Sequence, residues 1–464
     1  MTARSVTLIV ACTGVLLAQI DTSVVNLAVH RIHAAFGGDP GALRWVIDGY
    51  NLTYAAAILS AGALGDRLGR RRMFLVGTAV FAGGSLGCTL APNAATLIAA
   101  RAVTGLGAAL EVPATLALLS GAYPEGKPRA HALGIWASMN GLAFVIGPIV
   151  GGLLADALGW RSLFAIVIPF ALAALVLARA IDEQDTTKAR SLDLVGQMLA
   201  ACALGALAFA GMAAGTRAWP TAFAWFAPGV LAFAAFVARE RRTAEPLVDL
   251  RLFADRPFSA ATFVTMTMTF GMYGLLYLTP LALQTFQHET TFQAALALLP
   301  MSVVFVVTSS FSGKIVPHVG VRASVAAGMA AMGSGCLVVA FGGTEHAVSL
   351  AIGLALTGLG MGLVTGPVLG FAVGRAPAEL AGTASGIGNA ARMLGATLGV
   401  AVLGGAFAHA TNAGALRSGF AGGGLAQLLG ALVAALAIRR TRRAADHSHT
   451  DRCASLVHGS TAGR

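Results

Sequence analysis

Apolar residues fill this chain in long runs, and polar or charged positions fall almost entirely between them. The runs cover 6–29, 45–64, 73–91, 95–119, 132–154, 162–180, 194–214, 221–238, 258–284, 291–311, 323–342, 347–373, 384–409 and 419–438. About twenty apolar residues form a helix ~30 Å long, the thickness of the hydrocarbon core of a bilayer. The pattern therefore predicts fourteen membrane-spanning helices. Their grouping is six, two and six: a bundle over 1–181, a connector with two extra helices over 182–256, a second bundle over 257–440, and a polar, disordered tail over 441–464. The expected fold class is an all-α polytopic membrane protein of two six-helix bundles plus two linker helices.

One polar stretch organises the rest. Residues 62–72, GALGDRLGRRR, place Asp66, Arg67, Arg70, Arg71 and Arg72 between two apolar runs. Charges in that position belong in water or headgroups, so the segment reads as a tight loop, with Gly62 and Gly69 among the glycines that ease the turn. A weaker copy, GKIVPHVGVR, lies at 313–322. Gly62, Gly69 and Arg71 match Gly313, Gly320 and Arg322 at a constant offset of 251 residues, as two repeated spanning units would require.

Composition narrows the class. The chain is 56% hydrophobic and 11% charged, where soluble domains carry about 25% charge. The net charge of +11 does not indicate nucleic acid, because the basic residues sit at helix ends rather than on one face. With the N-terminus inside, the outer loops hold five Lys and Arg (Arg31, Arg44, Arg161, Arg217, Arg417), the inner loops and tails 24, and the spans two. That bias predicts a multi-pass protein of the plasma (inner) membrane with both termini cytoplasmic. The first apolar run carries Asp21 and Asn26 and reads as an uncleaved helix rather than a signal peptide. Four of the five cysteines lie in apolar runs, as small buried hydrophobes do. The tail histidines His447, His449 and His458 read as solvated rather than metal-binding.

An ionisable group deep in a span costs ~2.5–3.5 kcal/mol on insertion scales and marks function. Asp21 in helix 1 and Arg101 in helix 4 fall at similar depths, ~12 Å and ~9 Å from the outer face, so a contact between them would lower the cost of both. Asp48 lies near the outer end of helix 2. These three are expected to line a water-accessible cavity. Glu111 stands about 15 Å along helix 4 from Arg101, too far to pair, and Pro113 follows it. A buried glutamate without a cation could exchange a proton near neutrality. Arg392, with Asn389, is the strong ionic site of the second bundle, where no Asp or Glu enters a span.

Helix 9 carries Met266, Met268, Phe270, Met272, Tyr273 and Tyr277, a thioether and aromatic wall suited to lipophilic or cationic guests and equally to plain helix packing. Residues 141–152, GLAFVIGPIVGG, combine the Gly147–Pro148 break with Gly141, Gly151 and Gly152. The glycines admit a close neighbour, and the break predicts a bend that seals one side of a cavity and acts as a hinge.

These stretches together resemble the major facilitator superfamily, and within it the fourteen-helix drug:proton antiporters, which include quaternary-ammonium exporters and methylenomycin-resistance-type proteins. The resemblance rests on AQIDTSVVNLAV, WVIDGYNLTYAAAILSAGALGDRLGRRR, ARAVTGLGAALEVPATLALL, GLAFVIGPIVGG and AGTASGIGNAARMLGATLGVAVLG. It implies alternating access around a central cavity, driven by a proton gradient with no other cofactor. It assigns proton coupling to Asp21, Asp48 and Arg101, a cytoplasmic gate to Asp66 and its arginines, and export to Gly147–Pro148. Three departures stand out. Pro317 occupies a place for an acid in the downstream loop, the second bundle lacks the acids of dication exporters, and His30 replaces an apolar residue.

The expected function is proton-coupled efflux of hydrophobic drugs, antibiotics or secreted metabolites by a monomer, not an enzyme, with small molecules, protons and lipid as its partners. Asn26, Met266, Phe270, Tyr273, Tyr277, Asn389 and Arg392 are the expected substrate cavity. The alternative is a facilitator or symporter for a small nutrient, which would need more Asn, Gln and Trp on the cavity-facing helices.

Overall fold

The computed structural model describes residues 3–37, 44–123, 127–182, 193–215, 218–243, 246, 248–376, 380–405 and 416–438. Inside a bilayer every backbone N–H and C=O must find a partner within the chain, and helices satisfy this segment by segment. The described residues are accordingly helical and contain no strand. The helices are α1 (Ala3–Phe36), α2 (Trp45–Leu68), α3 (Arg70–Leu90), α4 (Ala94–Ala122), α5 (Lys127–Leu158), α6 (Ser162–Ala178), α7 (Leu194–Gly215), α8 (Trp219–Glu240), α9 (Arg256–Phe286), α10 (Thr291–Val319), α11 (Val321–Gly342), α12 (Ala347–Arg375), α13 (Ala381–Leu398) and α14 (Arg417–Ala437). A π-helical turn, Gly399–Leu403, continues α13. A helix lies over each apolar run, and among the described residues eleven are long and apolar enough to cross a membrane. The tail and its histidines lie outside the described residues, as does most of the link over 182–193.

Helix α1 packs on α4, α5 and α6, while α2 and α3 close on α4. In the later half, α9 packs on α12, α13 and α14, and α11 on α12 and α14. Helices α7 and α8 pair with each other, and α7 leans on α2 and on the turn after α13. The main contacts between the halves are α2 with α13, α5 with α10, and α1 with α9, with smaller ones of α1 on the start of α10 and of α2 on the turn after α13. Helix α9 is the central one, buried without interruption from Gly271 to Gln284.

The loop expected over 62–72 is shorter than the charge pattern suggests. Residues 62–68 are the last two turns of α2, and Gly69 alone leaves the helix, at φ 99°. Its N–H closes α2 on the Gly65 carbonyl at 3.0 Å, and its own carbonyl opens α3 by accepting from Met73 N–H at 3.0 Å. Gly320 repeats this between α10 and α11, at φ 84°, bonding Val316 O at 2.8 Å and Ser324 N at 3.1 Å. A positive φ with an extended ψ, 139° at Gly69 and 151° at Gly320, is open essentially to glycine alone and costs other residues ~1–3 kcal/mol, which is why both linkers are glycine. The repeat extends into the packing. Gly77 of α3 lies against Gly107 of α4, and Gly328, 251 residues on, lies against Gly360 of α12. Close approach without side chains is how helices associate where lipid supplies no hydrophobic drive.

Two faces follow from the chain direction. Tyr123, just past the end of α4, donates to Arg4 O near the start of α1 (3.0 Å). Arg71 at the start of α3 donates to Ala178 O at the end of α6 (3.1 Å). The face on which α1 begins is called proximal and the opposite one distal.

Candidate functional site

Asp21 and Arg101 meet. Arg101 Nη1 donates to Asp21 Oδ2 at 2.6 Å, and both side chains have essentially no exposure. Arg101 Nε donates to Val46 O at 2.8 Å, fixing the guanidinium against α2. Its carbon stands 4.5 Å from the Tyr50 ring centroid, a cation–π contact, and 5.7 Å from that of Phe164. Asp21 Oδ1 has no hydrogen-bond partner among the described residues. A buried acid with one oxygen bare is costly unless another state supplies the missing partner.

Asp48 and Glu111 are also fully buried, and none of their four carboxyl oxygens has a hydrogen-bond partner among the described residues. The water-accessible cavity expected around Asp21, Asp48 and Arg101 is closed in this conformation: none of the three offers water-accessible surface. Glu111 does not reach Arg101. It lies beside Gly14 of α1, Gly77 of α3 and the hydroxyl of Thr78, itself unpartnered. Arg44, expected in an outer loop, is 1% exposed. It stands immediately before α2, where its carbonyl accepts from Ile47 and Asp48 N–H at 2.9 Å, and its Nη1 donates across to Ala401 O at 3.2 Å.

The expected substrate residues divide. Tyr273 is buried close to Arg392, and Arg392 also reaches Tyr54 of α2, which stands within electrostatic reach of Glu111. Tyr277 is buried beside Arg44 and Asp48 nearer the distal face. Met266 and Phe270 are half-buried, and their backbone carbonyls lie against Gly395 of α13 and Gly399 of the π-helical turn after it. Asn26 Nδ2 donates to Thr22 O at 3.3 Å, leaving Oδ1 without a partner among the described residues. Asn389 bonds back to Ser385 O at 3.0 Å within its own helix. Tyr54 is absent from the sequence candidates, because a single tyrosine in an apolar run gives no signal of what it faces.

The gate segment is helical at Asp66 and Arg67, whose side chains, with Gly62, lie outside the described residues. Arg70 Nη1 donates to Ala117 O at 3.2 Å, and Arg71 Nη2 to Arg179 O at 2.9 Å. Helix C-termini leave carbonyls unsatisfied and carry negative partial charge, which suits Arg71 at the end of α6, while Arg70 ties the last part of α4 to the start of α3. In the 141–152 motif, α5 continues as helix through Gly147–Pro148. Gly147 and Gly151 face Ser23 and Val24 of α1, whereas Gly141 and Gly152 face α10. One helix thus presents small residues to both halves.

At the distal face the halves are tied together. Arg31 of α1 donates from Nε to Thr291 Oγ1 (2.6 Å), from Nη1 to Ala155 O (2.8 Å), and from Nη2 to Asp156. Asp156, at the end of α5, also accepts from the backbone N–H of Thr291 (3.2 Å) and Phe292 (2.9 Å), capping the N-terminus of α10. His30 meets Thr285 at 3.1 Å, and Gln284 donates to Leu27 O at 3.4 Å. All these residues lie where α1, α5 and α9 end or α10 begins, so this conformation is closed on the distal side.

The two halves of the chain meet along α1, α2, α5, α9, α10 and α13, with buried ions gathered at and beside the seam. A family model described as Major Facilitator Superfamily matches residues 11–400. The multidrug resistance protein Stp of Mycobacterium tuberculosis is 37% identical over 403 residues, covering 86% of this chain and 75% of that one. The methylenomycin A resistance protein of Streptomyces coelicolor is 34% identical over 440 residues, covering 93% and 92%. The tetracenomycin C resistance and export protein of Streptomyces glaucescens is 33% identical over 403 residues, covering 86% and 75%. The chain belongs to the major facilitator superfamily and is a multi-pass membrane efflux transporter.

Proposed function

We propose that the protein exchanges protons for lipophilic or cationic small molecules, moving them outward as its two bundles rock about a central chamber. Fourteen helices cross the membrane in this reading, in bundles over 1–181 and 257–440 joined by the pair in 182–256, and the monomer is the working unit. The proximal face is cytoplasmic, so the distal closure belongs to the inward-facing state. The observation that carries the reading is the buried Asp21–Arg101 pair with Asp21 Oδ1 left bare. A proton entering there weakens the pair, and the freed arginine changes how α1 and α4 hold together. Glu111 serves as a second proton site nearer the chamber, and Asp48 as one nearer the distal face. Tyr54, Tyr273 and Arg392 line the guest side, with Met266 and Phe270 supplying adaptable apolar surface. The relatives named for resistance to multiple drugs, methylenomycin A and tetracenomycin C support a lipophilic guest.

Inverted membrane vesicles loaded with this transporter test the reading with ethidium as probe. An acid-inside gradient is expected to drive ethidium uptake, and nigericin to abolish it. Equal uptake with and without the gradient contradicts proton coupling.

A further inference from the structure

Arg44, Asp48 and Asn51 recur at intervals of four and three residues, along one face of the start of α2. Each is at most 1% exposed. Among the described residues, neither oxygen of Asp48, neither amide atom of Asn51, and neither Nε nor Nη2 of Arg44 has a hydrogen-bond partner. An arginine and an aspartate four residues apart on a helix can pair directly. Here they do not. Arg44 turns across the seam, where Nη1 reaches Ala401 O at 3.2 Å and the guanidinium lies against the Tyr277 hydroxyl. Ala401 sits in the π-helical turn Gly399–Leu403, an irregularity of the kind found at functional sites.

Among the described residues the surroundings leave Asp48 no other cation. Helix α9 brings Tyr277, within reach of both Arg44 and Asp48. Helix α4 brings Arg101, engaged by Asp21 of α1 and by Val46 O. Helix α13 brings Arg392, deeper and against Tyr54, while α7 offers Gly205 to Leu52 and Phe209 to Trp45. Arg44 is therefore held by the second bundle at the expense of the acid one turn away. That acceptor is lost as soon as the bundles part distally.

We propose that Arg44 is a positioning residue that exchanges partners during transport, holding Ala401 and Tyr277 when the distal face is closed and Asp48 when it opens. A proton arriving from distal water binds the open-state Asp48 carboxylate, breaks the Arg44–Asp48 pair, and frees Arg44 to reach across and close the seam. Only that O–H bond is made, and it breaks again when the proton leaves. The inference rests on the proposed alternation between faces, and it links proton binding to closure of the distal side, the order an antiporter needs.

The test is a distance measurement in proteoliposomes. Spin labels at Leu90→Cys and Val348→Cys, both exposed at distal helix ends, report opening in a background lacking the native cysteines. The transporter is expected to open distally as pH rises from 5 to 8. Arg44→Lys keeps that response. Arg44→Gln and Asp48→Asn each reduce it at least twofold, and the double variant reduces it no further, because the two residues act as one unit. If Arg44→Gln adds the same increment of distal opening at every pH and leaves the pH response at its full size, Arg44 is only a tie between bundles and the inference is overturned. Additive losses in the double variant overturn it as well. A parent protein with no pH-dependent opening overturns the proposed function itself, and the inference with it.

Discussion

Arg101→Ala is expected to abolish gradient-driven ethidium transport and to lower the thermal stability of the purified protein. The substitution leaves Asp21 buried, with its 2.6 Å partner gone and its other oxygen already bare. Removing one member of a buried pair costs about 3–5 kcal/mol, because the survivor keeps its desolvation penalty. Asp21→Asn keeps the shape but strips the charge that holds Arg101, so transport should fail here too. The informative double variant combines Asp21→Leu with Arg101→Met. An apolar pair of similar volume often restores or exceeds the stability of a buried ion pair. Recovered melting temperature with no transport is the expected outcome. Recovered transport would make the pair purely structural.

Asp156→Ala is expected to loosen the distal closure by about tenfold in the open-to-closed ratio, equivalent to ~1.4 kcal/mol. Asp156 joins the Arg31 guanidinium of its own half to two groups across the seam, the backbone N–H of Thr291 and of Phe292. The ion pair alone is worth little, because both side chains are a quarter or more exposed and solvent screens them. Capping the N-terminus of α10 adds to it, since an anion there meets unsatisfied donors and the positive end of the helix. Gln284→Cys, buried at the seam, reports opening by its reaction rate with a maleimide in detergent. The rate should rise several-fold in Asp156→Ala and Arg31→Gln and no further in the double variant. An unchanged rate would mean that the distal face is closed by packing alone.

The spans are legible because lipid forces apolar composition onto every crossing helix, and the buried ions because each is an exception to that rule. Equal depth is enough to bring Asp21 and Arg101 together. The segment over 62–68 reads as loop, and proves helical, because charge marks a face and not a backbone. Only the positive φ of Gly69 ends the helix. Arg44 is hidden by its position, one residue before an apolar run, where an arginine normally reaches water. Its partners Ala401 and Tyr277 are more than two hundred residues away and offer a carbonyl and a phenol, neither of which has a sequence signature. Asp156 stands at a helix end, where an acid is cheap and so carries no signal. Its role emerges only when α10 arrives from the other half.

Proton countertransport can be read directly. Purified transporter is reconstituted into proteoliposomes containing a pH-sensitive dye, with no imposed pH gradient, and an ethidium gradient is applied across the membrane. Obligatory exchange makes ethidium flowing one way drive protons the other, and Asp21→Asn eliminates the signal. Ethidium movement in the parent protein with no change in internal pH would contradict coupling through the buried carboxylates.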